Sequence, residues 1–376
     1  MKKNSLSQIV LGLTVVLALT QTRSALACSA FSFSENGHTY VGKNFDWIPL
    51  HDHGALFVNK RGVSKKAQTL RTKNAVEWTS KFGSVTFSQI GIEFPVSGMN
   101  EAGLSADILQ MPETVYVPET DSRPALNESQ WLQYQLDNYQ SLSEVIENLE
   151  KIRVEQAFIG VHYFICDKTN ACGVFEFMNG KYVMHTGSTF EPRVLTNNFY
   201  EESISTLKGG PLSKTVIEGS KTAKAQMSPV VAFFANTARS IARFEIAAKE
   251  LGKWKSGGEK PEAFAFDILG KVEVARLLRT QWSMFYDLNA REVTFRTKTN
   301  SSFKKLSFEG IDFSCATPAM MMPVQQAEGG DIKARLKPFS VEENKKLVEE
   351  NWMIVSSDLR KAAVEYPEKY TRCVRP

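Results

Sequence analysis

The sequence predicts an α+β protein in which helices are layered on β-sheets. Strand-like segments lie at both ends of the region after residue 27, helical patterns are grouped between them, and Asn-Gly pairs mark tight hairpin turns. No internal repeat, low-complexity segment or long Pro/Gly linker marks a domain boundary. We therefore expect residues 28–376 to form a single domain that follows a separate segment at 1–27.

A β-hairpin is predicted at the start of this region. Residues 28–34 alternate small or polar side chains with apolar ones, Asn36-Gly37 supplies a tight turn, and residues 38–46 continue as the second strand. A three-strand meander is predicted later in the chain, with its second turn at Asn179-Gly180. The strands of the meander are 158–167, 172–178 and 181–185, and further strands are predicted at 280–287, 291–297 and 303–308.

Three helices can be predicted from capping and periodicity. Ser141 with Glu144, and Ser340 with Glu343, each form a capping box ahead of an apolar-periodic segment. Residues 237–251 carry apolar side chains at roughly helical spacing. Periodicity defines the fold class no further than this.

The first 27 residues have the three parts of a secretory signal. Lys2 and Lys3 precede an apolar run at 9–19, and the small residues Ala25 and Ala27 stand before Cys28. The run is shorter than the roughly 20 residues that cross a bilayer. We therefore expect cleavage before Cys28, a periplasmic or secreted product, and no stable membrane insertion after processing.

The basic charge of the chain belongs mostly to this segment. Loss of its three basic residues, with no acidic one, lowers the formal net charge from +4 to +1. A nucleic-acid partner requires a sustained basic face, so none is expected. One basic cluster is interpreted as a solvated loop; it comprises Lys60, Arg61, Lys65, Lys66, Arg71 and Lys73.

Cleavage before Cys28 would place a thiol and a free α-amine on one residue. An α-amine titrates near pH 8 and a thiol near 8.5, so a base and a nucleophile both lie close to the operating pH. Activation by an adjacent base is what a weak nucleophile requires. The sequence therefore indicates an amidase that is generated by its own processing.

Four further cysteines suggest disulfides in an oxidising compartment. Cys166 and Cys172 flank a short turn between two predicted strands, so they are placed to close a hairpin end. Cys315 and Cys373 would then pin the C-terminal tail, although sequence alone does not fix connectivity. Free buried thiols remain the alternative for both pairs.

Five short motifs, in order across about 215 residues, resemble the choloylglycine hydrolase family of penicillin V acylases and bile salt hydrolases. They are Cys-Ser-Ala-Phe at 28–31, Gly-Lys-Asn-Phe-Asp-Trp at 42–47, Gly-Met-Asn-Glu-Ala-Gly-Leu at 98–104, Val-Leu-Thr-Asn at 194–197 and Ala-Arg-Phe at 242–244. The resemblance implies an αββα N-terminal-nucleophile sandwich, two stacked antiparallel sheets between helical layers. It also implies hydrolysis of linear small-molecule amides, no metal or organic cofactor, and a tetramer.

The resemblance also implies roles for individual residues. Cys28 is similar to the nucleophile, with its amine as the base, and Asp46 is similar to the carboxylate that holds this amine. Asn197 resembles the oxyanion donor, and one such donor contributes about 3 kcal/mol to transition-state stabilisation. Arg243 resembles the arginine whose charge favours the thiolate.

Three more candidate positions are less determined. Lys43 stands where most relatives have arginine, which keeps the charge but loses the flat bidentate fork. Gln110 falls where the family places Asn, Tyr or Trp, so it either donates to the oxyanion or lines the substrate pocket. Trp47, with Phe31 and Met111, would suit an apolar or aryl acyl group, or else belongs to the core.

Penicillin V-like amides are the first predicted substrates, because an exported sequence with Asp-Trp at 46–47 resembles the Gram-negative branch of the penicillin V acylases. Conjugated bile salts are the second choice, and long-chain N-acyl homoserine lactones are also credible substrates. Two alternatives come from other classes of protein. A lipoprotein signal would make Cys28 a lipid anchor, although Ala25 occupies the position where such signals favour Leu. A metal-dependent hydrolase would use His51, Asp52 and His53.

Overall fold

This computed structural model describes residues 28–47, 54–226, 237–274, 279–325, 328–351, 357–370 and 372–373. The predicted signal segment at 1–27 lies outside these residues. The metal-ligand candidates His51, Asp52 and His53 also lie outside them.

The described residues form strands along the whole length of the chain. In chain order they are β1 (Ser29–Glu35), β2 (His38–Trp47), β3 (Ala55–Asn59), β4 (Val63–Lys66), β5 (Glu77–Thr79), β6 (Ser84–Ser88), β7 (Ser97–Asn100), β8 (Leu104–Gln110), β9 (Ala125–Asn127), β10 (Arg153–Glu155), β11 (Val161–Asp167), β12 (Cys172–Met178), β13 (Lys181–Thr186), β14 (Val194–Leu195), β15 (Arg279–Asp287), β16 (Glu292–Thr297), β17 (Lys304–Ser307), β18 (Met320–Pro323), β19 (Gly330–Asp331), β20 (Lys337–Pro338) and β21 (Arg372–Cys373).

Helices occupy the connections between groups of strands. The α-helices of the described ranges are α1 (Glu128–Asn138), α2 (Leu142–Asn148), α3 (Tyr200–Lys208), α4 (Lys214–Gln226), α5 (Thr237–Leu251), α6 (Pro261–Lys271), α7 (Val341–Glu350) and α8 (Ser357–Tyr370). Short 3-10 turns lie at Leu149–Lys151, Gly187–Thr189 and Lys333–Arg335. Among the described residues, none of these helices has both the length and the apolar character needed to cross a bilayer.

Most of these strands join two large sheets. The first has the order β14-β1-β2-β15-β16-β17-β19 and is antiparallel except for the β17–β19 pair. The second is antiparallel, in the order β13-β12-β11-β8-β7-β6-β3-β18-β20. The predicted β1–β2 hairpin turns at Asn36 and Gly37, whose φ angles of 51° and 79° fit a tight hairpin turn that places both central residues in the left-handed region.

The two sheets pack face to face around the main apolar core. Phe87 of β6 lies 6.2 Å from the Trp282 ring and 5.1 Å from the Phe295 ring, measured between centroids, and both partners belong to the first sheet. A hydrogen bond of 2.7 Å joins Ser97 of β7 to Tyr286 of β15 across the same interface. These contacts bury side chains from both inner faces, as sandwiched sheets do.

Helices cover the outer faces. Helix α1 packs on β7 and β8 and α2 packs on β11, whereas α5 contacts β1 and β14 and α6 contacts β2 and β15. The chain therefore has helix, sheet, sheet and helix layers, and the predicted αββα sandwich is confirmed.

The predicted starts of α2 and α7 agree with the structure, because both helices have the serine cap that the sequence predicts. Ser141 and Ser340 each accept a hydrogen bond from the main-chain N–H of the glutamate three residues later. The strand predicted from residue 158 instead begins at Val161. Strands β3, β6 and β8 were not predicted; all of their residues are buried, and β3 begins with four consecutive apolar residues that show no alternation.

The structure contains both predicted disulfide pairs. Cys166–Cys172 closes the end of the β11–β12 hairpin. Cys315–Cys373 joins the segment before β18 to strand β21, which pairs with β4. Cys28 is left as the free cysteine.

The interpretation of the basic cluster as a solvated loop is wrong in part. Lys60 and Lys65 are each only 4% exposed. Lys65 belongs to β4 and contacts Glu93 at 3.2 Å and Asp137 at 3.0 Å. Burial with two carboxylates makes Lys65 part of the fold, since a buried charge requires a partner.

Candidate active site

Cys28 lies immediately before β1 and is fully buried. Its main-chain nitrogen donates to Asn197 Oδ1 at 2.8 Å. The pairing of β1 with β14 explains this contact between residues distant in sequence, because Ala30 pairs with Leu195 and the chain reaches Asn197 just beyond β14. The fold thus brings the first and fourth motifs together.

Asn197 is held through both its main chain and its side chain. Its main-chain N–H donates to Ser240 Oγ at 2.7 Å, and Nδ2 donates to the Gln110 carbonyl at 2.7 Å. An amide nitrogen carries two N–H groups, and the Gln110 contact uses one of them. This contact involves the main-chain carbonyl of Gln110, whereas the sequence prediction concerned its side chain.

Arg243 projects from α5 and connects the other groups of the site. Its Nη1 donates to the Cys28 carbonyl at 2.6 Å and to Ser29 Oγ at 2.7 Å. Its Nη2 donates to Asn197 Oδ1 at 2.7 Å. Asp46 Oδ2 lies 3.8 Å from Nη1. Planar, forked donors of this kind suit a site that needs several fixed contacts.

Asp46 lies near the end of β2 and is fully buried. It pairs with Thr280 of β15, whose Oγ1 donates to Asp46 Oδ1 at 2.5 Å. Burial raises the pKa of Asp46 to about 7, although Arg243, Thr280 and Lys43 each lower it. Oδ2 has no hydrogen-bond partner among the described residues. A buried carboxylate oxygen in this state is available to accept an amine proton.

The Cys28 thiol is subject to opposing electrostatic influences. Burial raises its pKa above the usual value, and the nearby Asp46 carboxylate adds to this effect. The charge of Lys43 is the largest influence in the other direction, followed by the Asp46 main-chain N–H and the charge of Arg243. Cationic neighbours favour a thiolate, so the charges of Lys43 and Arg243 both favour the ionised form of the Cys28 thiol.

Lys43 is buried between the two sheets. It lies on β2, and its Nζ donates to the Ile108 carbonyl of β8 at 2.6 Å. Asp107, the residue before Ile108, is also buried, and Lys43 lowers its pKa. Lysine therefore supplies the site with a positive charge without the forked contacts of an arginine.

Trp47 lines a cavity with a mostly apolar wall. The cavity lies against β2, β8 and the segment before β11; its lining includes Phe45, Trp47, Ile90, Val96, Ile108, Phe158, Ile159 and Val161. All three residues belong to hydrophobic core clusters, Phe31 and Trp47 to the main one and Met111 to a smaller one. The core alternative is therefore correct for Phe31 and Met111, whereas Trp47 is a core residue that also forms part of the cavity wall.

Sequence reasoning missed several residues of the site. Thr280, Ser240 and Ser29 hold Asp46, Asn197 and Arg243 by single hydroxyl contacts. Asp107 is part of the buried charge pattern around Lys43. The hydroxyl residues carry no distinctive spacing. Only the register of β2 against β15 could have placed Thr280 opposite Asp46.

The sequence matches a family profile and a curated protein. Residues 28–207 match the profile described as linear amide C-N hydrolases, choloylglycine hydrolase family. A curated penicillin V acylase of Pectobacterium atrosepticum is 24% identical over 207 residues, which is 50% of this chain and 54% of that protein. The chain thus matches about half the length of this curated relative.

Solved structures resemble the whole sandwich. The penicillin V acylase of Agrobacterium tumefaciens has a TM-score of 0.66 and 22% identity, with 83% of this chain and 98% of that chain covered. A variant of the conjugated bile acid hydrolase of Clostridium perfringens has a TM-score of 0.62 and 17% identity, with 80% and 98% covered. At these identities the likeness establishes the fold. The profile match and the motifs in register show that residues 28–207 belong to the choloylglycine hydrolase family.

Proposed function

We propose that the protein is an amidase that hydrolyses the C–N bond of linear amides with an N-terminal Cys28. One observation carries the proposal: the Cys28 nitrogen contacts Asn197, and the Arg243 guanidinium contacts Cys28, Asn197 and Asp46 within one buried cluster. A nucleophile, a carboxylate that holds the ammonium and an amide donor for the oxyanion are the groups that this chemistry requires.

Removal of residues 1–27 would convert the Cys28 main-chain nitrogen into an α-amine. This amine takes the thiol proton, and Asp46 Oδ2 holds the resulting ammonium. The sulfur then attacks the substrate carbonyl carbon, forming a C–S bond and placing negative charge on the carbonyl oxygen. Asn197 stabilises this charge, a contribution that typically changes kcat by 10²–10³.

Breakdown of the intermediate completes the reaction. The ammonium passes its proton to the leaving nitrogen, and the C–N bond breaks to leave a thioester on Cys28. Water attacks the thioester carbon with the amine as base, which releases a carboxylic acid and restores the thiol. Dividing the reaction into two steps lowers the barrier of each.

Phenoxyacyl amides of the penicillin V type are the first substrates in this proposal, because the similar proteins include a curated and a structurally solved penicillin V acylase. The small cavity lined by Phe45, Trp47 and Phe158 is apolar, as pockets for acyl chains are. Conjugated bile salts and N-acyl homoserine lactones are the alternatives within the same reaction. Export to the periplasm or medium and assembly into a tetramer belong to the same proposal.

The test begins with intact mass and N-terminal sequencing of the exported protein, for which Cys28 is the expected first residue. Cys28→Ser and Cys28→Ala should abolish turnover on a panel of penicillin V, glycine- and taurine-conjugated bile acids and acyl lactones. The control is the urea unfolding midpoint of the Cys28 variants, which should equal that of the wild type, because the other four cysteines are paired and offer no matched substitution. Activity in the Cys28 variants would refute the mechanism.

The two alternatives from other classes give different results in the same preparation. A lipid anchor adds mass to Cys28 and sends the protein to the membrane fraction. A metal-dependent hydrolase loses activity with a chelator and in His51→Ala. The proposed amidase retains turnover under both treatments.

A further inference from the structure

A second buried cluster of ionisable groups lies behind Asn197. His162 of β11 and Glu176 of β12 are both fully buried. His162 Nδ1 lies 3.1 Å from Glu176 Oε1, and His162 Nε2 lies 2.7 Å from the Thr196 carbonyl. Since Thr196 immediately precedes Asn197, this cluster contacts the main chain of the proposed oxyanion donor.

The partners of His162 determine where its protons are. A carbonyl oxygen only accepts, so Nε2 carries a proton toward Thr196. The Nδ1–Oε1 contact holds one further proton between His162 and Glu176. The ring therefore joins Glu176 on one side to the Thr196 carbonyl on the other through two hydrogen bonds.

We propose that the hydrogen-bonded pair His162–Glu176 is a positioning device that holds the Thr196 carbonyl and so keeps Asn197 aimed at the reacting carbonyl oxygen. This inference rests on the proposed function, because it assigns the pair to the oxyanion donor of that reaction. Neither residue touches the substrate, and both act through the Thr196–Asn197 segment.

The geometry around Asn197 supports a device of this kind. Ser240 Oγ accepts from Asn197 N at 2.7 Å and donates to Thr196 Oγ1 at 3.0 Å. The segment is thus held by α5 on one side and by His162 of β11 on the other. A donor displaced by a fraction of an ångström loses much of its contribution, since oxyanion stabilisation depends on a preorganised distance.

The groups that face the pair define its charge. His185 of β13 lies with Nε2 3.7 Å from Glu176 Oε2. Tyr200 of α3 donates its main-chain N–H to Glu176 Oε1 at 2.9 Å, and burial raises the pKa of its hydroxyl. The Arg243 guanidinium lies beyond Asn197, on its Oδ1. Among these neighbours, Glu176 is therefore the group whose hydrogen bond fixes the His162 ring.

Glu176→Gln provides a sharp test, because Tyr200 N–H requires an oxygen at the place of Oε1. The glutamine side chain must therefore place its carbonyl oxygen there, and His162 Nδ1 must donate a hydrogen bond to that oxygen. If the ring is neutral, its single proton is then on Nδ1, and Nε2 has none to donate to the Thr196 carbonyl. If the ring is charged, the glutamine provides no counter-ion. We expect kcat to fall about 10- to 100-fold with KM changed less than about twofold.

The split between kcat and KM separates positioning from simple damage. The loss in Glu176→Gln should be confined to kcat, whereas a damaged fold would also raise KM and lower the urea unfolding midpoint. The alkylation rate of Cys28 by iodoacetamide should stay at the wild-type value, because that reaction needs no oxyanion donor. His38→Phe is the matched control, since it removes a histidine bonded to Asp287 at 2.9 Å on the far end of β2.

A spectroscopic measurement tests the ring directly and does not depend on turnover. In ¹⁵N-histidine-labelled mature protein, one ring should show an Nε2–H that is protected from solvent exchange, and this signal should vanish in His162→Phe. Absence of that protected proton in the wild type, or wild-type kcat in Glu176→Gln, would overturn the proposal. A wild type that hydrolyses none of the amides yet shows the protected Nε2–H would refute the proposed function instead.

Discussion

Arg243 Nη2 donates to Asn197 Oδ1 at 2.7 Å, and the same oxygen accepts the Cys28 main-chain N–H at 2.8 Å. Two donors on one amide oxygen fix the orientation of the amide and direct Nδ2 toward the Gln110 carbonyl. The arginine therefore supplies orientation in addition to the charge that the sequence predicts. Substitutions that keep only the charge should separate these two contributions.

Replacement of Arg243 by methionine should lower kcat/KM and move its acid limb to higher pH. Arg243 lowers the pKa of both Asp46 and Cys28, so its removal raises both, and the ionised forms are lost at a higher pH as the solution is acidified. Arg243→Lys keeps the charge but loses the fork. It should lower kcat while leaving the limb in place, as a pH-rate profile will measure. Equal limb shifts in the two variants would contradict this assignment.

Lys43→Met should slow alkylation of the Cys28 thiol near neutral pH. Lys43 is the largest influence that lowers the thiol pKa, so its removal raises that pKa further and reduces the thiolate fraction. The measurement is the iodoacetamide rate as a function of pH. Lys304→Met is a matched control because Lys304 is also fully buried and donates to main-chain carbonyls. A rate change of the same size in the control would contradict a local charge effect.

Asp107→Asn should alter the pH dependence of stability. Burial raises the pKa of Asp107 to about 6, whereas an unfolded aspartate titrates near 3.9. The folded state binds the proton more tightly, so the wild type loses stability as pH rises from about 4 to about 6. Asparagine does not titrate, and the stability of the variant relative to wild type should rise by up to about 3 kcal/mol over this range.

Denaturant unfolding at pH 4 and pH 7 measures this difference. The comparison within each pH cancels the titration of all other groups. A relative stability that stays constant between the two pH values would show that Asp107 titrates normally in the folded state.

Local signals in the sequence predicted the elements that have local causes. The β1–β2 turn follows from Asn36-Gly37, and α2 begins at Ser141 because the serine caps its first turn. Strand β3 escaped prediction because its four consecutive apolar residues remove the alternation that marks a strand. The order of the strands in each sheet depends on contacts between distant segments, which periodicity does not encode.

The site residues divide in the same way. Cys28, Asp46, Asn197 and Arg243 could be named from motifs, and the fold brings all four together. The contacts that hold them come from Thr280 and from the neighbours of Asn197, residues of common types with no local pattern. His162 was invisible because a single buried histidine has the same sequence appearance whether it packs or pairs.

The two disulfides should contribute unequally to stability. The chain-entropy model assigns about 4 kcal/mol to a bridge spanning 58 residues and about 2 kcal/mol to one spanning 6. Cys315–Cys373 also holds β21 against β4, whereas the β11–β12 hairpin is already closed by strand pairing. The double variant Cys315→Ala/Cys373→Ala should therefore lose more unfolding free energy than Cys166→Ala/Cys172→Ala.

Urea unfolding midpoints of the two double variants test this order. The wild type measured with and without a reductant controls for the side-chain replacements, because reduction breaks the same bonds without new residues. Activity separates the effects further: Cys172 Sγ lies 3.1 Å from Ser32 Oγ of β1, the strand that follows Cys28. Loss of the short bridge should thus lower kcat more than loss of the long one, and the reverse order of kcat would show that this hairpin does not support the nucleophile.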